Sequence, residues 1–294
     1  MKSVHKRILV GGSLAGSVAL ALWLNGRFVP GRVPWAVAAV LSLGGALEAA
    51  RMERRRGGIS LAALVVPGAV LTVLSGPAGA EFGWPPPSRG LSAWLAGLAL
   101  AVFGAGAITL LNRAKGRGAA QRSAASASSA LGTVGDAALL AAWILPPLYA
   151  LVWLDARLGV GGLVLIVVLS KIGDVFGYFV GRQIGVRHPF PGISPNKTVA
   201  GCTASLVAGV VAGVAFAAAA YPTPWRAGLV GGAVLGLTVN LASQAGDLFE
   251  SWVKRRAGVK DSSGLFGPSG GVLDVVDSLL FSLPLALVVL PTVV

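Results

Sequence analysis

The chain has 294 residues, 55% of them hydrophobic and only 12% charged, with a net charge of +13 and a mean hydropathy of +0.78. A soluble domain carries about 25% charged residues, so this chain lacks the polar side chains needed to cover itself in water. Composition excludes an ordinary soluble enzyme and predicts an all-α, polytopic integral membrane bundle.

A helix of roughly 20 apolar residues crosses the hydrocarbon core. Nine stretches meet that description, near 8–24, 33–50, 59–80, 91–111, 136–154, 159–180, 199–220, 227–246 and 272–293. The first follows a basic start but lacks a clear small-x-small cleavage site, so it reads as a retained span and not a signal peptide. The chain's 42 glycines suit close approach of helices in lipid. Cys202, the single cysteine, falls within a span and reads as a packing residue, which leaves no intramolecular disulfide.

The cations are distributed unevenly. With the N-terminus in the cytoplasm, the inner segments hold 18 Lys and Arg and the outer segments 5. The positive-inside rule therefore orients the chain with its N-terminus in and its C-terminus out. The excess charge is an orientation device, so no nucleic-acid partner is expected.

Along the first half acids are few, namely Glu48, Glu53, Glu81 and Asp136. The arginine-rich loop 51–58 suits anionic headgroups. Trp84-Pro85-Pro86-Pro87 reads as a rigid outer turn, and 112–129 as a flexible cytoplasmic linker. Residues 1–130 are expected to be scaffold and 131–294 to form the catalytic region.

The second half carries the unusual polar residues. Lys171 and Asp174 lie at i and i+3 inside the sixth span, where they form either an internal ion pair or part of a site. Gly192–Thr198 is a near miss to a phosphate-binding P-loop, because Asn196 stands where a glycine is needed and Pro195 has no amide donor. Asp247 closes the eighth span with Glu250 three residues on. Lys254-Arg255-Arg256 and Lys260 then lead to a small-residue loop, Gly267–Gly271. Asp274 and Asp277 follow, with a spacing that shares one helical face. Such acids either cap a helix or hold a cation.

In order and spacing, 251–277 resembles the signature of the CDP-diacylglycerol synthases (phosphatidate cytidylyltransferases). Ser251, Val253, Lys254, Arg255, Lys260, Asp261, Ser263, Phe266, Gly267, Gly270, Gly271, Val272, Asp274, Val276 and Asp277 fall in register. Asp247-Leu248-Phe249-Glu250-Ser251 resembles the family's Gly-Asp-Leu-aromatic-Glu-Ser run. Asp174 with Gly177-Tyr178-Phe179 and Gly181-Arg182 is similar to its Asp-x-x-Ala-Tyr-Phe-x-Gly-Lys/Arg segment. Ser194-Pro195-Asn196-Lys197-Thr198 is similar to its Ser-Pro-x-Lys-Thr segment. Three positions depart from the pattern: Ser269 replaces a His, Val275 an Arg and Ala200 a Glu.

The resemblance, over about 165–280, implies CTP-dependent transfer of CMP to phosphatidate in phospholipid biosynthesis. It implies Mg²⁺ held by Asp247, Asp274 and Asp277, with Asp174 and Lys171 in the active site. Ser194, Asn196, Lys197, Thr198, Lys254, Arg255, Lys260, Asp261, Gly270 and Gly271 are the expected substrate contacts. The partners so implied are CTP, phosphatidate or a related lipid phosphate, and membrane lipids, with a homodimer as an open expectation. The expected location is the inner (cytoplasmic) membrane of a bacterium, with the site facing the cytoplasm. The departures leave open transfer to another lipid phosphate, a non-catalytic relative, and a small-molecule transporter.

Overall fold

The computed structural model describes residues 32–54, 60–75, 91–115, 124–220 and 226–293. The expected first span and the 84–87 turn lie outside them, as do residues 55–58 of the 51–58 loop and the middle of the 112–129 segment. The ends of that segment, expected to be linker, are helical up to Lys115 and again from Ala124.

Every regular element among the described residues is helical. In chain order they are α1 (Arg32–Arg54), α2 (Leu61–Ser75), α3 (Leu91–Lys115), α4 (Ala124–Ile184), α5 (Val199–Ala220), α6 (Arg226–Arg256), α7 (Val272–Val276) and α8 (Leu279–Val293). A single 3₁₀ turn, Gly267–Ser269, precedes α7. Five segments are long and apolar enough to cross a bilayer, with shorter apolar helices at Leu61–Leu74 and Leu95–Thr109. This is an integral membrane protein by length and composition of its helices.

Helix α4 runs continuously through two expected spans, but Gly159 interrupts it with φ 63° and ψ −174°. That conformation lies outside the range open to L-residues with a Cβ, so a glycine marks the kink. The chain divides close to the same point. One compact unit comprises the described residues of Met1–Arg157 with Asp261–Val275, and the other Leu158–Lys260 with Val276–Val294. The glycine-rich loop of the second half thus packs with the first unit.

In the first unit α2 packs against both α1 and α3. Leu64, Leu71, Ile144, Leu145, Leu148 and Leu154 are fully buried there. Trp35 Nε1 donates to the Thr72 carbonyl at 2.9 Å, and the Thr72 and Tyr149 hydroxyls meet at 2.5 Å. These bonds satisfy polar groups for which lipid offers no partner.

In the second unit α6 packs against α5 and α8. Small residues recur every fourth position: Gly173, Gly177 and Gly181 on α4, Gly201, Ser205, Gly209 and Gly213 on α5, and Gly232 and Gly236 on α6. A Cβ at Gly213 would strike the Gly232 carbonyl, and one at Gly236 the Gly209 carbonyl. Lipid supplies no hydrophobic drive between helices, so such backbone approach is what allows van der Waals contact to hold them. A buried polar set ties the same helices, with Ser205 Oγ and Gln244 Nε2 donating to Asn240 Oδ1 at 2.9 and 3.0 Å.

Candidate functional site

Helix α6 does not end at residue 246, as the sequence suggested, but continues through Arg256. The extension keeps Asp247, Glu250 and Lys254 on one face, at i, i+3 and i+7. Its last turn is closed by Ala257, Gly258 and Val259 amides donating to carbonyls of Val253, Arg255 and Lys254, with Gly258 at φ 71°. Arg255, an expected phosphate contact, is exposed and donates to the Val259 carbonyl at 2.9 Å.

The expected last span is also broken. Helix α7 stops at Val276, and α8 begins at Leu279. Asp277 sits in the break, where its Oδ1 accepts the Ser278 amide. The shared face expected of Asp274 and Asp277 requires an unbroken helix, and the helix ends between them.

In the second unit, ligand oxygens of Asp247, Glu250 and Asp277 lie within 4.8 Å of one another. Each acid faces a lysine. Lys197 Nζ is 2.7 Å from Asp247 Oδ2, Lys254 Nζ 2.5 Å from Glu250 Oε2, and Lys171 Nζ 3.5 Å from Asp277 Oδ1. Lys171 also lies 3.9 Å from Asp174, which is exposed. Three carboxylates and three ammonium groups thus cancel in formal charge. Burial falls off across the group, from Glu250 with 1% of its side chain exposed to Asp247 with 31%. The group is anchored at its inner side and open at Asp247.

The segment before α5 supplies Lys197. Ser194 and Lys197 take part in turns closed on Phe190 and Ser194 carbonyls. Lys197 Nζ also donates to the Gln244 carbonyl at 3.3 Å. Thr198 is buried, and its Oγ1 accepts the Gly201 amide at 3.1 Å, so it caps α5. Ser194 is half-buried and Asn196 exposed.

The first unit holds the glycine-rich loop. Gly267 and Gly270 adopt φ 58° and 79°, and the Phe266 amide closes the loop on the Gly270 carbonyl at 2.8 Å. Asp274 belongs to this loop. Its Oδ2 accepts the Ser262 amide, the Ser262 hydroxyl and the Gly271 amide at 2.8, 2.6 and 2.8 Å. Lys260, of the other unit, and Asp261 are exposed.

Two residues were undervalued in the sequence. Glu250 was noticed beside Asp247 but not counted with the ligands, although the i, i+3 spacing was the signal. Glu48 was set aside with the scaffold. It is buried on α1 and accepts from Ser262 Oγ, Ser263 Oγ, the Val272 amide and the Leu273 amide at 2.7–2.9 Å. The only signal was a carboxylate inside an apolar span.

Comparison with known proteins places the chain in a family. The chain is similar to the phosphatidate cytidylyltransferase of Aquifex aeolicus (strain VF5), 42% identical over 113 residues, which is 38% of this chain and 40% of the relative. It is 36% identical over 151 residues to that of Chlamydia muridarum (strain MoPn / Nigg), covering 49% and 48% of the two chains. It is 44% identical over 108 residues to that of Brucella abortus biovar 1 (strain 9-941), covering 36% and 38%. The aligned regions span less than half the length of these relatives. A model of the cytidylyltransferase family matches residues 5–293, through both units, and the chain belongs to that family.

Proposed function

We propose that the protein is a phosphatidate cytidylyltransferase, making CDP-diacylglycerol and pyrophosphate from CTP and phosphatidate. The observation that carries this reading is the group of Asp247, Glu250 and Asp277, each facing a lysine. Relatives with that printed name support the choice of acceptor.

The residues fit a divalent cation. The donors are all carboxylate oxygens, within 4.8 Å, which is the ligand type that Mg²⁺ takes together with substrate phosphates and water. Asp247, Glu250 and Asp277 would hold the ion. When bound, it would screen the triphosphate and the departing pyrophosphate. Asp274 was expected as a third ligand, but its Oδ2 is occupied by three donors of its own loop. We assign Asp274 to the shape of that loop and Glu250 to the ion.

In the reaction a phosphatidate oxygen attacks the α-phosphorus of CTP and forms a new P–O bond. The bond to the oxygen bridging the α- and β-phosphorus breaks, and pyrophosphate leaves with the electron pair. A phosphate monoester is already largely ionised near neutral pH, so no general base is required. Lys171, Lys197 and Lys254 neutralise carboxylates in the structure as it stands. With those carboxylates turned to a cation, the same ammonium groups are placed to meet phosphate oxygens. Asp174, 3.9 Å from Lys171, would help to orient that lysine. The site would face the cytoplasm, where the charge bias puts the 181–198 segment.

The test is formation of CDP-diacylglycerol from CTP and phosphatidate by the purified chain in detergent with Mg²⁺. Turnover that EDTA abolishes is expected. An absence of turnover from folded protein that still binds CTP would direct the reading to another lipid phosphate.

A further inference from the structure

Glu48 lies in the half of the chain that the sequence marks as scaffold, yet it makes four hydrogen bonds to residues more than 210 positions away. The Ser263 hydroxyl and the Val272 and Leu273 amides donate to its carboxylate, and the Ser262 hydroxyl, with one proton, is shared between Glu48 and Asp274. The two amides open α7 and have no carbonyl partner within so short a helix. The fit around them is close. Val272 Cγ2 and Leu273 Cδ2 reach to 3.0 Å of where a Cβ would stand on Gly44 and Gly45. A Cβ on Gly271 would strike Glu48 Oε1 and the Ser262 hydroxyl. Gly44, Gly45 and Glu48 thus form a seat on α1 that admits only a side chain-free residue at 271. The seated segment carries the Gly270, Gly271 and Asp274 positions of the motif, and Asp277 is the next residue after α7.

We propose that Glu48 is a positioning residue for cytidylyl transfer, fixing the conformation of the 262–273 loop on which turnover depends. This rests on the functional reading above. Glu48 touches no reacting atom in this account. It acts by holding backbone amides and serine hydroxyls in one arrangement, so that the loop does not have to be ordered at each turnover. A bare packing role would not need three donors and a shared hydroxyl converging on one carboxylate.

The experiment uses the full chain in detergent, with Glu48→Gln and Glu48→Ala. Two quantities are read: amide hydrogen exchange over 262–273, and CTP-dependent turnover of phosphatidate per folded molecule. Glu48→Ala is expected to speed exchange of the Val272 and Leu273 amides by about tenfold or more, leaving α5 and α6 unchanged. Turnover should fall by about 10- to 100-fold, the usual scale for losing an orienting partner. Gln keeps one acceptor oxygen and so should recover part of both effects. Turnover per folded molecule within about twofold of the parent in both variants would overturn the proposal. So would unchanged exchange at Val272 and Leu273. If Glu48→Ala does not fold, Glu48→Gln is judged by the same two criteria. A parent chain with no cytidylyl transfer would refute the functional reading instead, and the exchange measurement would still decide whether Glu48 holds the loop.

Discussion

At the scale of single residues, Asp247, Glu250 and Asp277 each face a lysine, and Asp277 shares Lys171 with Asp174. Removing a buried charge from such a set leaves its partner uncompensated, which is why breaking a pair costs more than the pair contributes. The balance has a consequence for binding. A cation alone displaces lysines that then lack partners, and a triphosphate alone meets carboxylates that repel it. Together they satisfy both sets. Mg²⁺ and CTP are therefore expected to raise each other's affinity by the same factor, about 5- to 150-fold. Calorimetry of CTP binding with and without Mg²⁺ checks this, and equal affinities would contradict the paired arrangement. The sequence named Asp247, Asp277, Lys171 and Lys197, which the structure brings together with Glu250; Lys171 stood out as a charge inside an apolar run, and Lys197 through the resemblance of its segment. Glu250 and Glu48 were harder to read. The role of Glu48 depends on partners more than 210 positions away, which no local pattern shows.

At the scale of elements, the helices of the second unit are held by the small-residue faces that the glycine content foretold. The Gly209–Gly236 and Gly213–Gly232 contacts are backbone against backbone. Gly213→Leu has no room to enter, and overpacking of this kind costs about 1–3 kcal/mol or more. The variant is expected to lower the thermal midpoint in detergent, while Gly132→Leu, where nothing lies within 4 Å, should leave it unchanged. A midpoint unaltered by Gly213→Leu would contradict the close packing of α5 on α6. Helix existence was legible for every expected span among the described residues. Helix ends were less so. Hydropathy stops at residue 246, where charged residues begin, but the backbone of α6 continues as helix to Arg256 because Leu248, Phe249, Trp252 and Val253 still alternate with the charges at helical spacing. The reverse holds near 277, where apolar residues run on and the helix breaks. Only the isolated Asp277 hinted at that break.

At the scale of the whole molecule, charge distribution and composition fix the class of protein before any contact is known. The bias of 18 inner to 5 outer cations predicts which ends of the spans meet the cytoplasm. Gly161, near the start of the second limb of α4, and Gly192, in the segment between α4 and α5, are exposed positions with open space for a side chain. In a Cys202→Ser background, Gly161→Cys is expected to react with a membrane-impermeant thiol reagent in intact cells. Gly192→Cys should react only after the membrane is opened. Labelling in the opposite sense would invert the topology. The division into two compact units was not legible in the sequence. The sequence reading separates a scaffold from a catalytic region near 130 by role; the compact units part near Gly159, and residues 261–275 return to the first unit. Sequence order does not reveal a return of this kind, because the contacts that cause it are non-local.

The central claim is that the carboxylate–lysine group of the second unit supports cytidylyl transfer to a lipid phosphate. It is tested most directly by comparing the parent chain with Asp247→Asn in Mg²⁺-dependent conversion of CTP and phosphatidate to CDP-diacylglycerol and pyrophosphate. The account predicts clear turnover for the parent and a loss of about 100-fold or more in the variant, the scale of removing one preorganised electrostatic contact. Equal turnover in the two proteins would contradict it.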